Sequence, residues 1–529
     1  MSNKLYKLSR AVLPILLALI LAWLLLANSL SYSDVDLGWH LRVGQDIIND
    51  AQAPHLNYYN YAFADVKWLD HEWLLNLAMT AIFNSGGFIS LHLFFLVITL
   101  IALFLTWRRW LDLFGGPDGH KFLFWLLALA GLWSSQPHLG IRVQTFGLLA
   151  LSLLFLFLSN NFKYRRWLWF LPLLFMVWAN AHGSFLLGLV LLAAYVVYTF
   201  LSPWLHRYPF NKFATCPTFT TKDKFQLIII FGLSLLATLV NPYGLGLYAF
   251  LEGYSNTVYM KYIAEWRGQF VFPLYYPQIL YLSFSAAIFI LYWQQRSRRL
   301  FISWWDAGLV AVFFVLSLQS RRHFPIFVIA SLPLVTGILQ QALVEFKWQI
   351  NLLFKKIVIS LLVFLLTVSL VTLFWRLPWR QDNIRDFCDI KYPCAALDYL
   401  KSRPETKDWR LFNEYAWGGF LLWSYPEKQV FIDGRMPQAT FGQHTVLEEY
   451  FVLRSATTDP GKVLDSYNIR LVLLRAENKS LSLQAWEKFF FQISDNDLST
   501  SDKLRLYLDS NPEWQLVFSD KLSLIYERR

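Results

Sequence analysis

Long apolar runs separated by short polar segments recur along most of this chain. Runs long enough to cross a bilayer, or nearly so, occur at 11–30, 89–107, 121–135, 143–159, 167–180, 184–201, 225–241, 277–294, 304–319, 323–340 and 356–375, which predicts about eleven transmembrane helices. Several are short and stop at polar motifs, the pattern of helices broken where they line a cavity. The first run, Ala11 to Leu30, meets the acidic Asp34-Val35-Asp36 with no small-residue cleavage pattern between them, so it reads as a retained helix. Beyond residue 377 the pattern becomes that of a soluble domain. Arg410–Asn413, Val430–Asp433, Arg470–Leu474, Trp514–Phe518 and Ser523–Tyr526 read as strands and Gly418–Trp423 as a short helix. The expected organisation is an α-helical polytopic membrane domain over 1–376, with a first outer loop at 31–88, followed by a small α/β domain over 377–529.

Charge sets the orientation. Lys4, Lys7 and Arg10 place the N-terminus inside, and alternation then gives the inner segments 19 basic residues against 7 in the outer loops that join the spans. The C-terminal domain is thereby expected outside a plasma membrane. The net charge of +11 does not indicate nucleic acid, because the basic residues sit in short clusters between apolar spans. Three cysteines are too few for a disulfide scaffold, although Cys388 and Cys394 are close enough in sequence to bridge in an oxidising compartment; Cys216, in a basic loop, reads as a free thiol.

The same alternation brings every unusual polar segment to one face: 31–88, Gln136–Arg142, Asn180–Ser184, Asn241–Gln269 and Gln319–His323. Stray polar groups are costly in a bilayer, so five such segments point to a shared cavity. In the first outer loop a short helix from Leu37 to Ile48 would lay Trp39 and Leu41 against the interface and direct polar groups, His40 and Arg42 among them, to the cavity. Asp34 and Asp36 precede it, one as a helix cap and one or both as catalytic carboxylates. His71-Glu72 is half of a zinc-protease motif, but position 75 is Leu and the motif fails. Asp34, Asp36, His40, His71 and Glu72 are still the residue types that bind a divalent cation. Arg142, His182 and the Arg321-Arg322-His323 cluster supply what a phosphate requires, charge-assisted bonds in a partly desolvated site. A single Arg at a span end suits a lipid headgroup as well; the Arg321-Arg322 pair is the stronger candidate. No Walker loop, dinucleotide fingerprint or Gly-x-Ser-x-Gly elbow occurs.

At these residues the chain resembles the GT-C superfamily of integral-membrane glycosyltransferases, in particular bacterial multi-pass members. The resemblance rests on the acidic pair Asp34/Asp36 after the first span, Trp39-His40-Leu41-Arg42-Val43-Gly44, His71 to Leu74, Asn180-Ala181-His182-Gly183, Asn241-Pro242-Tyr243-Gly244, Glu265-Trp266, Trp417-Gly418-Gly419 and Phe431-Ile432-Asp433-Gly434-Arg435. It implies a polyprenyl-phosphate sugar as donor, a glycan or lipid acceptor at the outer face, and a base among the outer-loop aspartates. Asp36 is then the base and Asp34 its partner. Arg321, Arg322, Arg142 and His182 hold the donor phosphate, and His40, Arg42, His71 and Glu72 line the substrate site. Leu37 stands where relatives often carry a Glu, which leaves the choice between Asp34 and Asp36 open. A lipid-linked-sugar transporter would use the same cations without a base, and a docking protein would need far fewer spans; inverted repeats, the mark of a transporter, are not detectable.

Overall fold

The computed structural model describes residues 34–64, 66–115, 121–207, 214, 216–253, 262–294, 302–345, 388, 391–435, 440–441, 444–476, 485–491 and 502–529. The principal helices are α1 (Leu37–Asp50), α2 (Trp73–Phe114), α3 (Lys121–Ser134), α4 (Gln144–Ser159), α5 (Leu171–Ala181), α6 (Phe185–Leu205), α7 (Thr221–Ala237), α8 (Tyr276–Gln294), α9 (Trp304–Gln319), α10 (Phe324–Glu345) and α11 (Gly418–Ser424). The principal strands are β1 (Arg410–Asn413), β2 (Ile469–Arg475), β3 (Trp514–Ser519) and β4 (Ser523–Arg528). Nine expected spans coincide with α2 to α10; those at 11–30 and 356–375 lie outside the described residues.

The chain divides into two compact units. One comprises residues 1–32, 89–245 and 260–380; the other comprises 33–88, 246–259 and 381–529. Helix α2 runs through both, and its path breaks at Gly86-Gly87, where Gly87 adopts φ 64°, a left-handed conformation that glycine enters without steric cost.

The first unit is a bundle of apolar helices. Four described helices, Trp73–Phe114, Phe185–Leu205, Tyr276–Trp293 and Arg321–Leu343, are long and apolar enough to cross a membrane, and shorter ones accompany them. Helix α10 is the core of this unit: Phe324, Phe327, Ala330, Leu332 and Leu334 are all buried, as expected of a helix that is apolar on every side. Pro333 interrupts it and cannot donate to the carbonyl of Ile329 one turn back. The buried Arg109 of α2 compensates, donating to the carbonyls of Ile329 (3.4 Å) and Ala330 (3.1 Å) while pairing with Asp306 at 2.6 Å. Ser159 Oγ accepts from Arg109 Nε (2.9 Å) and donates to Asp306 (2.5 Å), so one network ties α2, α4, α9 and α10. The 3₁₀ turns Gln136–His138, after α3, and Arg321–His323, between α9 and α10, carry polar residues to the helix ends.

The second unit joins the outer loop to the C-terminal residues. Its sheet runs in the order β1-β2-β4-β3, with β1 parallel to β2 and the others antiparallel. Leu471, Val472, Leu473 and Leu474 of β2 are all buried, which marks it as an inner strand. The observed α11 and the four strands match their sequence expectations to within a few residues. Val430–Asp433, expected as a strand, is not in the sheet. The Asn413 side chain takes the place of a neighbouring strand, accepting from the Phe431 amide (2.8 Å) and donating to the Ile432 carbonyl (2.9 Å). Val430 pairs instead with the outer loop, donating to Tyr59 O at 3.1 Å and accepting from the Tyr61 amide at 3.3 Å.

Helix α1 forms where expected, but Trp39 and Leu41 are buried within this unit rather than set against an interface. The reason is its close packing on α11: a Cβ at Gly38 would overlap the Gly419 carbonyl. Cys388 and Cys394 form a disulfide, with Cα atoms 5.3 Å apart, and Cys216 is a buried free thiol.

Candidate functional site

Each unit carries one cluster of chemistry-bearing side chains. In the second unit, Asp34 and Asp36 flank the entry to α1 with different roles. Asp34 Oδ1 accepts from the Asp36 amide (3.3 Å), and its carbonyl accepts from Tyr392 Oη (3.0 Å). Asp36 occupies the N-cap position yet makes no side-chain capping bond. Its carboxylate lies against Gly434, where a Cβ would overlap Oδ1.

Behind them runs a buried polar relay. His40 Nδ1 and Asn76 Oδ1 are 2.6 Å apart, and Asn76 Nδ2 donates to Asp70 Oδ2 at 2.7 Å. An ionised carboxylate only accepts, so the Asn76 amide nitrogen must face Asp70 and its oxygen must accept from His40 Nδ1–H. That fixes the proton on Nδ1 and leaves Nε2 as an acceptor. Burial lowers His40 to a pKa of about 4, against the opposing effects of the Asn76 bond and the Asp34 charge. Burial raises Asp70 to about 6, although the bonds from Asn76 and the Glu72 amide and the charge of Arg435 favour its ionised form. His40 is therefore a neutral, enclosed group.

The other expected substrate residues are engaged locally. Arg42 Nε pairs with Asp46 one turn along α1 at 2.9 Å, and Tyr59 Oη donates to the same Asp46 oxygen at 2.8 Å. His71 Nε2 lies 3.5 Å from Glu72 Oε1. The Asp433-Gly434-Arg435 turn is a structural clasp: Arg435 donates to both Asp433 oxygens (2.9 and 2.7 Å) and to Asn60 (2.6 Å), between the rings of Tyr59 and Trp68. Among the described residues no group of three or more His, Cys, Asp or Glu side chains gathers as a metal site, so Asp34, Asp36, His40, His71 and Glu72 do not assemble the expected cation cage.

The first unit holds a cationic cluster around Glu265, which sits in the 3₁₀ turn Ala264–Trp266. Arg142 Nη1 meets Glu265 Oε2 at 2.7 Å, Arg322 Nη1 lies 3.7 Å from Oε1, and His138 Nδ1 lies 4.0 Å from Oε2. The Arg322 guanidinium also rests on the Trp266 ring, 4.6 Å from its centroid. Backbone bonds fix this loop to the end of α9, from Arg321 N to Arg267 O (3.1 Å) and from Gln269 N to Leu318 O (3.1 Å). Burial alone would raise Glu265, but Arg142 foremost, then Arg322 and His138, outweigh it and hold it at about 2. Burial lowers His138 to about 3 despite Glu265, and the neighbouring arginines push the same way, so this imidazole is neutral.

Of the four expected phosphate ligands, Arg142 and Arg322 meet at Glu265. Arg321 turns to the carbonyl of Val271. His182 belongs to another network: its Nδ1 accepts from the Ser184 amide at 3.1 Å, leaving the ring proton on Nε2. Sequence reasoning passed over Glu265 and His138 as site residues, although both lie in the polar segments it singled out. It also passed over Asp70 and Asn76. The signal for that pair was an acid and an amide near the start of α2, beside an expected His.

No protein-family model and no curated protein sequence matches the chain. Solved structures do. The oligosaccharyltransferase of Archaeoglobus fulgidus, tethered to an acceptor peptide containing the NVT sequon, superposes with a TM-score of 0.56 at 12% identity, over 89% of this chain and 69% of that one. The apo form of the same protein gives 0.53 at 10% identity, over 88% and 69%. The fold of that oligosaccharyltransferase is shared. A third structure, the archaeal oligosaccharyltransferase AglB from Archaeoglobus fulgidus with an inhibitory peptide and a dolichol-phosphate, gives 0.54 at 12% identity, over 89% and 70%. In this chain the shared fold combines apolar helices, four of them among the described residues long and apolar enough to cross a membrane, with a small C-terminal sheet.

Proposed function

We propose that this chain is a membrane glycosyltransferase that moves a sugar from a polyprenyl-phosphate donor to an acceptor hydroxyl at the outer face. The observation that carries the reading is the arginine cluster at the helix ends of a GT-C bundle. Arg142 and Arg322 meet there at one carboxylate, Glu265, and the Arg321 and Arg267 side chains turn to the neighbouring carbonyls of Val271 and Phe272, a surplus of positive charge suited to phosphate. A similarly folded archaeal protein was captured with dolichol-phosphate, a ligand of this class. The Cys388–Cys394 disulfide suits an oxidising, extracytoplasmic compartment for the second unit.

In the proposed reaction the acceptor oxygen attacks the anomeric carbon, its proton passes to Asp36, and the bond from that carbon to phosphate breaks. The electron pair leaves with polyprenyl phosphate. Asp36 is assigned as the base and Asp34 as its partner, whose carboxylate accepts the Asp36 amide. A phosphate departs as an anion without needing a proton, so no second acidic carboxyl is required, unlike in most glycosidases. Arg142 and Arg322 stabilise the charge that develops on the leaving group. His40, enclosed with Asn76, acts through its neighbours as a positioning residue.

The test is release of polyprenyl phosphate from a panel of polyprenyl-phosphate sugars by the purified protein with membrane-extracted acceptors. Turnover that disappears in folded Asp36→Asn and persists in Asp34→Asn supports the reading. Saturable binding of one donor with no turnover in any combination would overturn it in favour of transport.

A further inference from the structure

The ion pairs among the described residues run from fully enclosed to solvent-exposed. In Asp433–Arg435 and Arg109–Asp306 both side chains are at most 2% exposed and carry further hydrogen bonds, so these pairs are fixed parts of the fold. The Glu265 cluster is built differently. Glu265 is 27% exposed, Arg142 16% and Arg322 26%, and only one of its contacts, to Arg142, is a short hydrogen bond. Arg322 is held by its face on Trp266, an arrangement that keeps the in-plane N–H fork for acceptors. Glu265 thus engages both guanidinium groups with a single monoanionic carboxylate at partial solvent exposure, where another anion can reach the same donors.

We propose that Glu265 is an internal counter-ion of an anion site, displaced from Arg142 and Arg322 when a phosphate monoester binds. The proposal rests on the reading of this cluster as the phosphate site and adds how that site is kept when empty. Without Glu265, like charges at Arg142 and Arg322 would face each other across the site, and with it they stay gathered. A phosphate monoester offers more acceptor oxygens and more negative charge than a carboxylate, so it wins the same donors. The strongly depressed pKa of Glu265 means that displacement, not protonation, must empty the site at neutral pH. A lipid phosphodiester headgroup, like the phosphodiester of the intact donor, shares this chemistry but carries a single negative charge, so it competes less well than the monoester released in the transfer.

The experiment measures binding of farnesyl phosphate, farnesol and phosphatidylglycerol to the full-length protein in detergent, for wild type, Glu265→Gln and Arg142→Gln. The expected result is that Glu265→Gln binds farnesyl phosphate about five-fold more tightly. Farnesol binding stays unchanged, and Arg142→Gln weakens the phosphate ligand. Unchanged or weaker farnesyl phosphate binding in folded Glu265→Gln, with Arg142→Gln still weakening it, would overturn the counter-ion role and leave the phosphate site standing. Equal affinity for farnesyl phosphate and farnesol in wild type would remove the phosphate site itself. An equal gain for phosphatidylglycerol would reassign the ligand to lipid headgroups. Should Glu265→Gln fail to fold, Glu265→Asp, with its carboxylate withdrawn by one methylene, must show a smaller tightening of the same sign.

Discussion

Replacing Asp70 by Asn separates two buried titrations that oppose each other in the wild-type protein. His40 has a folded pKa of about 4, below its ordinary 6.5, so its contribution to stability is lost as pH falls through that window. Asp70 has a folded pKa of about 6, above its ordinary 3.8, so its contribution is complete below 3.8 and lost as pH rises through 6. Each tenfold difference in proton affinity is worth about 1.4 kcal/mol, so each group contributes roughly 3 kcal/mol across its window. Between pH 7 and pH 4 the two effects nearly cancel. Asp70→Asn removes only the compensating one. The variant also loses one of the two acceptor sites that serve the Glu72 amide and Asn76, a cost that does not depend on pH. The assay is denaturant unfolding of wild type and variant in the same detergent at several pH values from 4 to 7.5. The variant should fall behind wild type by about 3 kcal/mol more at pH 4 than at pH 7. A stability difference that stays constant across this range would refute the buried-relay argument.

Three further outcomes are expected. Gly434→Ala forces a methyl group against the Asp36 carboxylate, so sugar transfer should fall at least about tenfold while thermal stability changes little, as read by turnover alongside a melting curve. Asp306→Leu strands the buried Arg109 and should cost roughly 3–5 kcal/mol of unfolding free energy, whereas Arg109→Met combined with Asp306→Leu should cost less than the single change. Glu414→Gln weakens a carboxylate that accepts from Tyr450 Oη at 2.8 Å and pairs with Arg454 at 3.1 Å; it should lower the stability of the C-terminal sheet by about 1–3 kcal/mol with donor binding unchanged.

The helices of the bundle were legible because a bilayer demands apolar length, and that demand is written in consecutive residues. The strands from Arg410 onward and the short helix at Gly418 were legible for a similar reason, since short-range patterning decides them. Val430–Asp433 has the right residue types for a strand, but its partners are the Asn413 side chain and a loop more than 350 positions earlier in the sequence. No local pattern encodes that. Trp39 read as an interface anchor, but the glycines of α1 and α11 let the two helices close over it. Arg42 had a local signal in Asp46, one turn on, that pointed to an intrahelical pair. That Arg142 and Arg322 belong to a polar cluster was legible from charge and position, whereas the part of Glu265 in it was not, because a lone acid among cations shows its partners only once distances are known.

The pairing of α1 with α11, and of Tyr59 with Val430, also bears on biogenesis. A ribosome adding roughly 5–20 residues per second needs on the order of 20 to 80 seconds to travel from the outer loop to the segment that completes it. Throughout that interval Gly38 and Trp39 have no α11 packed against them. The nascent chain must therefore carry an unfinished half-domain while its helices insert, and a premature stop anywhere before residue 430 would leave the acidic segment without the packing that positions it.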